Sequence, residues 1–342
     1  MRRRDAIPPS PRDHDASPAE VLSVLTGGDE PWIDYRGRRL GRWLGERGIV
    51  HGWCHVGDPD WLAVEARNRG ARVLISEAQC LPATSIVSLA ADLPEVQIVQ
   101  LFHGAPAWVA SGAVTQTYDA IRQSRDLPNV HVGVVSGVEA MAWLPGAKVV
   151  HLPNPVELPA RLVDWHRPSR RRGEPLCVSL ISRAAAPKNF GGQLAALALL
   201  ARRRPIRALV SSHATGLGRE QSRYLKDLGL DVEAVPFGDW AGTLERVAQG
   251  VDVGLCCGFT DALNLTAAEH CLLGIPVVAS PALDWLPSTW RVSPQDPVAM
   301  ADLVETHVSA PEAGALGRQI ALEVASRNEE TLLRNLRQLL KV

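Results

Sequence analysis

The chain has 342 residues, 46% hydrophobic and 21% charged, and its 36 Lys and Arg against 37 Asp and Glu give a formal net charge of -1. That length exceeds one small domain and suits two cores of about 150 residues each. The near-neutral balance removes any whole-molecule electrostatic argument for nucleic-acid or membrane binding, while leaving local basic patches open.

The first residues, "MRRRDAIPPSPRDHDASP", are charged but carry no apolar core, so a signal peptide is not expected there. Their Pro, Arg, Asp and Ser content predicts a disordered tail over 1–19. No uncharged apolar run reaches 18 residues, so no membrane span is expected either. The six cysteines are Cys54, Cys80, Cys177, Cys256, Cys257 and Cys271; they form no CxxC pair and sit mostly in apolar runs. They read as small buried hydrophobes of a reducing, cytoplasmic protein.

Beyond the tail, short apolar strands alternate with helical segments. The first half offers strands at 49–57, 71–78, 96–104, 130–137 and 148–154, separated by helices such as "DWLAVEARNRG" and "TQTYDAIRQSRDL". Near-continuous apolar strands between helices predict a parallel sheet covered on both faces. The polar stretch "DWHRPSRRRGEP" breaks the alternation. The pattern then restarts with strands at 176–183, 206–214, 231–237, 251–258 and 275–280, with "FGGQLAALALLARRR" and "GTLERVAQG" among the helices. The expected architecture is α/β, with two Rossmann-like domains facing a cleft. The expected bounds are 20–160 and 176–311, joined by a linker over 161–175. A helical segment over 312–342 should cross the domain boundary.

Ligands of open α/β sheets sit at the carboxyl ends of strands, beside helix N-termini. After the strand at 176–183, Arg183 and Lys188 lie five residues apart, followed by Asn189 and a helix. They are either a diphosphate clamp or ordinary loop charges. After the strand at 251–258 comes "GFTDALNLTAAEHCLLGIPVVAS". Asn264, Leu265 and Thr266 open a helix there, and their N–H groups suit a phosphate. Asp261 and Glu269 are either a helix cap and a paired buried charge, or contacts to a ligand such as a ribose diol. In the first half, His103 closes a strand in "QLFHGAP" and is either a structural histidine or a group at the cleft edge. Gly57, after the first predicted strand, permits close backbone approach to phosphate. Asp58 in "DPD" reads as a helix N-cap rather than a metal motif. His51 and His55 lack a third ligand, so no zinc site is expected.

Taken together, these stretches resemble the signature of retaining, family-4-type glycosyltransferases of GT-B fold. Asp261, seven residues, Glu269 and then "GIPVVAS" resemble that family's paired acids and Gly-x-Pro-Val-Val. Arg183 and Lys188 match its R-x4-K, and Pro236–Phe237 falls where the family has its nucleotide-base loop. The resemblance covers 176–310 well, and the first half in layout only. It implies a hexosyltransferase that needs neither metal nor cofactor and uses a nucleotide-diphosphate sugar, UDP-linked, as donor. Arg183 and Lys188 would hold the diphosphate and stabilise the leaving group. Glu269 would bind ribose, and Asp261 the sugar hydroxyls, with Asp standing where the family usually has Glu. Amides at Asn264, Leu265 and Thr266 would hold the distal phosphate, with Gly57, Thr260, Pro236 and Phe237 completing the donor pocket and His103 assisting at the anomeric carbon. The acceptor is a hydroxyl compound, carried mainly by the first domain. The stretch through Asp284–Trp285 also resembles a phage and bacterial branch, which brings in hydroxymethylated pyrimidine of DNA as an alternative acceptor. Basic clusters Arg2–Arg4, Arg36–Arg42 and Arg167–Arg172 would then meet phosphates. A nucleotide-sugar epimerase and a non-catalytic nucleotide-sugar binding protein are the other readings.

Overall fold

A computed structural model of the chain describes residues 18–25, 39–55, 58–77, 81–102, 115–135, 146, 148–165, 173–182, 186–212, 226–236 and 240–341. The chain divides into two compact units, one formed by Met1–Pro155 with Glu330–Val342 and the other by Val156–Glu329.

The first unit contains strands β1 (Val21–Leu25), β2 (His51–His55), β3 (Val73–Ser76), β4 (Gln97–Phe102), β5 (Val130–Val134) and β6 (Val149–His151). They form one sheet in the order β2-β1-β3-β4-β5-β6, and every recorded pairing is parallel. Helices α1 (Pro59–Arg69), α2 (Ala83–Asp92) and α3 (Thr115–Ser124) connect them. Strands β1, β3 and β4 are buried along their whole length, as strands covered on both faces must be. Leu22, Val24, Leu74 and Ile98 share a core with Leu62 and Ala66 of α1 and Ile86 and Leu89 of α2. The start of α1 follows from "DPD": Asp58 Oδ1 accepts from the N–H groups of Asp60 (2.9 Å) and Trp61 (3.2 Å), and Pro59 takes the first helical turn. Gly70 ends it in the left-handed region at φ 73°, where glycine carries no Cβ penalty. The "DPD" motif is therefore a helix cap.

The second unit contains β7 (Leu176–Leu180), β8 (Ile206–Ser212), β9 (Asp231–Pro236), β10 (Val253–Cys256) and β11 (Val277–Ala279), in the order β11-β10-β7-β8-β9 and again parallel. Its helices are α4 (Phe190–Arg203), α5 (Trp240–Gly250), α6 (Leu265–Leu272) and α7 (Pro297–Ser309). Alternation along "LCVSL" supplies two cores from one strand. Leu176, Val178 and Leu180 pack with Leu197 of α4 and Val304 of α7, while Cys177 packs with Leu244 and Val247 of α5. The last helix, α8 (Ala313–Leu339), contributes its residues to Glu329 to the second unit and those from Glu330 to the first.

Strand order decides where this second sheet can hold a ligand. From β7 the chain moves to β8 on one side, whereas β10 pairs with β7 on the other. The sequence direction of the sheet therefore reverses between β7 and β10. Loops leaving the carboxyl ends of those two strands diverge there, which opens a crevice beside them.

Candidate functional site

Two loops border that crevice: the one after β7, with Lys188, and the one after β10, with Asp261. A short 3-10 turn over Ala186–Lys188 ends at Asn189, which adopts the left-handed conformation at φ 52° before α4 begins. Asn tolerates that region better than most residues. Its amide then reaches across: Asn189 Nδ2 donates to the carbonyls of Cys257 (3.1 Å) and Pro294 (2.5 Å). Gln193, buried one turn further, donates from Nε2 to the Lys188 carbonyl at 2.8 Å and accepts from the Cys257 N–H at 3.0 Å. A third tie runs from the Phe259 N–H to the Pro187 carbonyl at 2.9 Å. Gly258 permits this approach, since a Cβ there would sit 3.2 Å from the Pro187 oxygen. The two loops are thus bound together, and the backbone under Lys188 is fixed from both sides.

That backbone frame brings Lys188 and Asp261 into contact. Lys188 Nζ donates to Asp261 Oδ2 at 2.7 Å, and Asn264 Nδ2 donates to the same oxygen at 2.9 Å. Asp261 Oδ1 accepts from the Ala262 N–H at 3.0 Å. Side-chain exposure is 21% for Lys188 and 9% for Asp261, enough for a ligand to reach the ammonium and little for bulk water to screen the pair. Asp261 is not the cap of α6. Asn264 holds that position at φ 54°, with its Oδ1 accepting from the Ala267 N–H at 3.0 Å. The N–H groups of Leu265 and Thr266 belong to the first turn, where a helix offers donors without intrahelical acceptors. A positive partial charge therefore sits beside Lys188.

The remainder of α6 is buried from Ala267 to Leu272. Glu269 is wholly inaccessible, and its Oε1 accepts from Trp240 Nε1 at 3.0 Å. Next to it, His270 Nδ1 lies 2.7 Å from the Thr266 carbonyl and Nε2 lies 2.7 Å from Ser179 Oγ on β7. The carbonyl only accepts, so Nδ1 carries the proton and Nε2 accepts from the serine hydroxyl. Burial pushes the imidazole down to about 4, against a weaker opposing pull from the Thr266 carbonyl. This histidine is a neutral strut. Trp285 Nε1 donates to the Leu263 carbonyl at 2.9 Å and steadies the turn from below.

The cysteines around these loops are buried thiols. Burial pushes the Cys256 thiol up to about 12, with the Asp261 charge adding to the effect, and raises Cys257 and Cys271 in the same way. Cys54, Cys177, Cys256, Cys257 and Cys271 are all buried free thiols. Among the described residues no three His, Cys, Asp or Glu side chains come together as a metal-binding group. His51 Nε2 instead lies 3.0 Å from Ser23 Oγ. No described helix is long and apolar enough to cross a membrane.

Of the residues singled out in the sequence, Lys188, Thr260, Asp261, Asn264, Leu265, Thr266 and Glu269 fall on these two loops and on α6. Pro236 ends β9. Gly57, His103, Arg183 and Phe237 lie outside the described residues, as does Cys80. Asn189, Gln193, Trp240 and His270 had no assigned role in the sequence. Their hydrogen bonds span 105, 64, 29 and 91 residues, and no local spacing encodes such distances.

No protein-family model matches the chain, and no curated protein matches it by sequence. Solved structures do match. A sucrose-phosphate synthase from Thermosynechococcus elongatus is 17% identical over 94% of this chain and 99% of its own, with a TM-score of 0.64. An E. coli structure described as trehalose-6-phosphate bound with UDP-2-fluoro glucose gives 12% identity, 94% and 99% coverage and a TM-score of 0.67. A trehalose-6-phosphate synthase studied with bisubstrate glycomimetics for glycosyltransfer with retention gives 12% identity, 95% and 99% coverage and a TM-score of 0.66. The chain has the GT-B fold of these proteins.

Proposed function

We propose that the chain is a glycosyltransferase whose second unit binds a nucleotide-diphosphate sugar, and that it transfers the sugar to a hydroxyl acceptor with retention. One observation carries the reading: Lys188 and Asp261 meet at 2.7 Å where the strand order reverses, beside the first turn of α6, the helix that carries the buried Glu269. A cation, a helix start and two carboxylates match the successive parts of such a donor. Lys188 meets the diphosphate, with Arg183 joining it on the strength of the sequence spacing. The first turn of α6 meets the distal phosphate. On the strength of the sequence resemblance Glu269, buried in this structure, is assigned to the ribose hydroxyls, and Asp261 to those of the sugar. The matched proteins whose names include UDP-2-fluoro glucose and retention support a uridine donor and that stereochemistry.

Chemistry in this reading is electrostatic. As the anomeric carbon–oxygen bond lengthens, negative charge gathers on the leaving diphosphate, and Lys188 stabilises it where little water competes. The acceptor hydroxyl attacks from the same face and passes its proton to the departing phosphate. The buried, protonated thiols of Cys256, Cys257 and Cys271 offer no covalent route. No metal or cofactor has a part in this scheme. His103 and Gly57 keep their proposed places at the anomeric carbon and the phosphates from the sequence alone.

Release of nucleoside diphosphate from a sugar nucleotide is the test, with and without hydroxyl acceptors. Release that requires acceptor, with an anomeric product of unchanged configuration, is expected. Epimer formation without acceptor would replace this reading with an epimerase, and binding without any product would replace it with an inert binding protein. Of the basic clusters, Arg2–Arg4, Arg167–Arg172, Arg36 and Arg38 lie outside the described residues, Arg39 is buried and Arg42 is exposed; hydroxymethylated DNA enters as one arm of the acceptor panel.

A further inference from the structure

Each backbone carbonyl around Lys188 is taken by a separate N–H group. Pro187 O accepts from the Phe259 N–H at 2.9 Å, Lys188 O from Gln193 Nε2 at 2.8 Å, and Asn189 O from the Gln193 N–H at 3.2 Å. Gln193 thus holds this turn twice, by side chain and by main chain. The other end of the same amide reaches the second loop, where Gln193 Oε1 accepts from the Cys257 N–H at 3.0 Å. Cys257 follows β10 directly and opens the loop that carries Asp261. Gln193 is 1% exposed, so bulk water does not compete for these bonds.

The place calls for an amide. A donor must face Lys188 O while an acceptor faces the Cys257 N–H, and an amide carries both at its tip. An apolar side chain of similar length leaves a buried carbonyl and a buried N–H unpaired. We propose that Gln193 is the positioning residue that holds the Lys188 and Asp261 loops in register, and that the affinity of Lys188 for a diphosphate depends on it. The inference rests on the donor-site reading. Being buried, Gln193 acts through the backbone from which the Lys188 ammonium is aimed. The 2.7 Å contact between Lys188 Nζ and Asp261 Oδ2 runs from one loop to the other, so a shift between the loops moves the cation against its carboxylate. Without the amide the ammonium samples more positions, and ordering it on a diphosphate costs more.

Calorimetric titration with UDP, ADP and GDP tests this in wild type, Gln193→Met, Lys188→Ala and the double variant, each checked as folded by its urea transition. With the nucleotide that binds wild type most tightly, Gln193→Met should lose affinity by about fivefold, the net scale of one hydrogen bond. In the Lys188→Ala background the same substitution should change the remaining affinity by less than about twofold, because the group it positions is gone. Gln193→Asn keeps the amide but shortens its reach, and carries the same comparison if the Met variant does not fold. Equal losses in both backgrounds would mark packing alone and overturn the assignment. So would full affinity in the folded Gln193 variant. A wild type that binds none of the three nucleotides would overturn the donor-site reading and the Gln193 role with it, whereas binding that needs Lys188 but not Gln193 would overturn only the role.

Discussion

Lys188 and Asp261 spend their charges on each other in the free protein. Their 2.7 Å contact is joined by the Asn264 amide on the same carboxylate oxygen. A diphosphate arriving at Lys188 must draw the ammonium from that carboxylate and then lie near a negative charge. Asp261→Asn keeps the shape and removes the charge. Affinity for bare nucleoside diphosphate should therefore rise, by roughly threefold to tenfold, the scale of a partly exposed ion pair. A full sugar nucleotide should gain less, because Asp261 also meets the sugar. In a Lys188→Met background the gain should vanish. Titration of the two single variants and the double variant closes that cycle, and a gain that persists without Lys188 contradicts the ion-pair account. At this scale the sequence was legible where residues lie close together. The spacing of Asp261 and Glu269, and the place of Lys188 just after a strand, were visible without coordinates. Asn189 and Gln193 were not, because their partners Cys257 and Pro294 come near only once β10 has paired with β7.

Helix α6 is the element on which the site depends, and its buried His270 gives that dependence a pH signature. The imidazole titrates near 6.5 in the ordinary case and near 4 in the fold, because burial opposes its charge. Between those values the unfolded chain binds more protons than the folded one, so stability falls as pH falls; above 6.5 the contribution is fully present. His307, accepting burial in place of a proton and pushed down to about 4 as well, acts in the same direction. The urea midpoint should decline from pH 7 to pH 4.5, and His270→Gln should make that decline shallower. An equal slope in the variant would show that His270 does not titrate across the transition. The elements themselves were largely readable. Mostly apolar runs mark β3, β4 and β7, and "DPD" with a Gly stop marks both ends of α1. The exception is β1, Val21–Leu25, which lies inside its sheet between β2 and β3 and was not anticipated. Its five residues directly follow a Pro-rich segment, and a long polar and Gly-containing stretch separates them from the helical residues 39–45, so the close βα rhythm that revealed the other strands is missing there.

For the whole molecule, two parallel sheets arise from a chain in which apolar strands and helices alternate twice. That alternation was legible because a strand covered on both faces needs apolar residues at successive positions. The strand order was not, since nothing in a run of five residues says which neighbour it will take. Yet the order is what places the loops after β7 and β10 side by side, and so brings Lys188 and Asp261 into contact just before α6, the helix that carries Glu269. That this site holds a nucleotide-diphosphate sugar is the central claim. Thermal unfolding of wild type and Lys188→Ala against a panel of nucleoside diphosphates and their sugar conjugates measures it most directly, because a ligand bound only by the folded state raises the midpoint by mass action. Wild type should be stabilised by one nucleotide and its sugar conjugate, and Lys188→Ala should lose that stabilisation at the same ligand concentration. A panel in which nothing shifts the wild type, or in which the variant shifts equally, would contradict it.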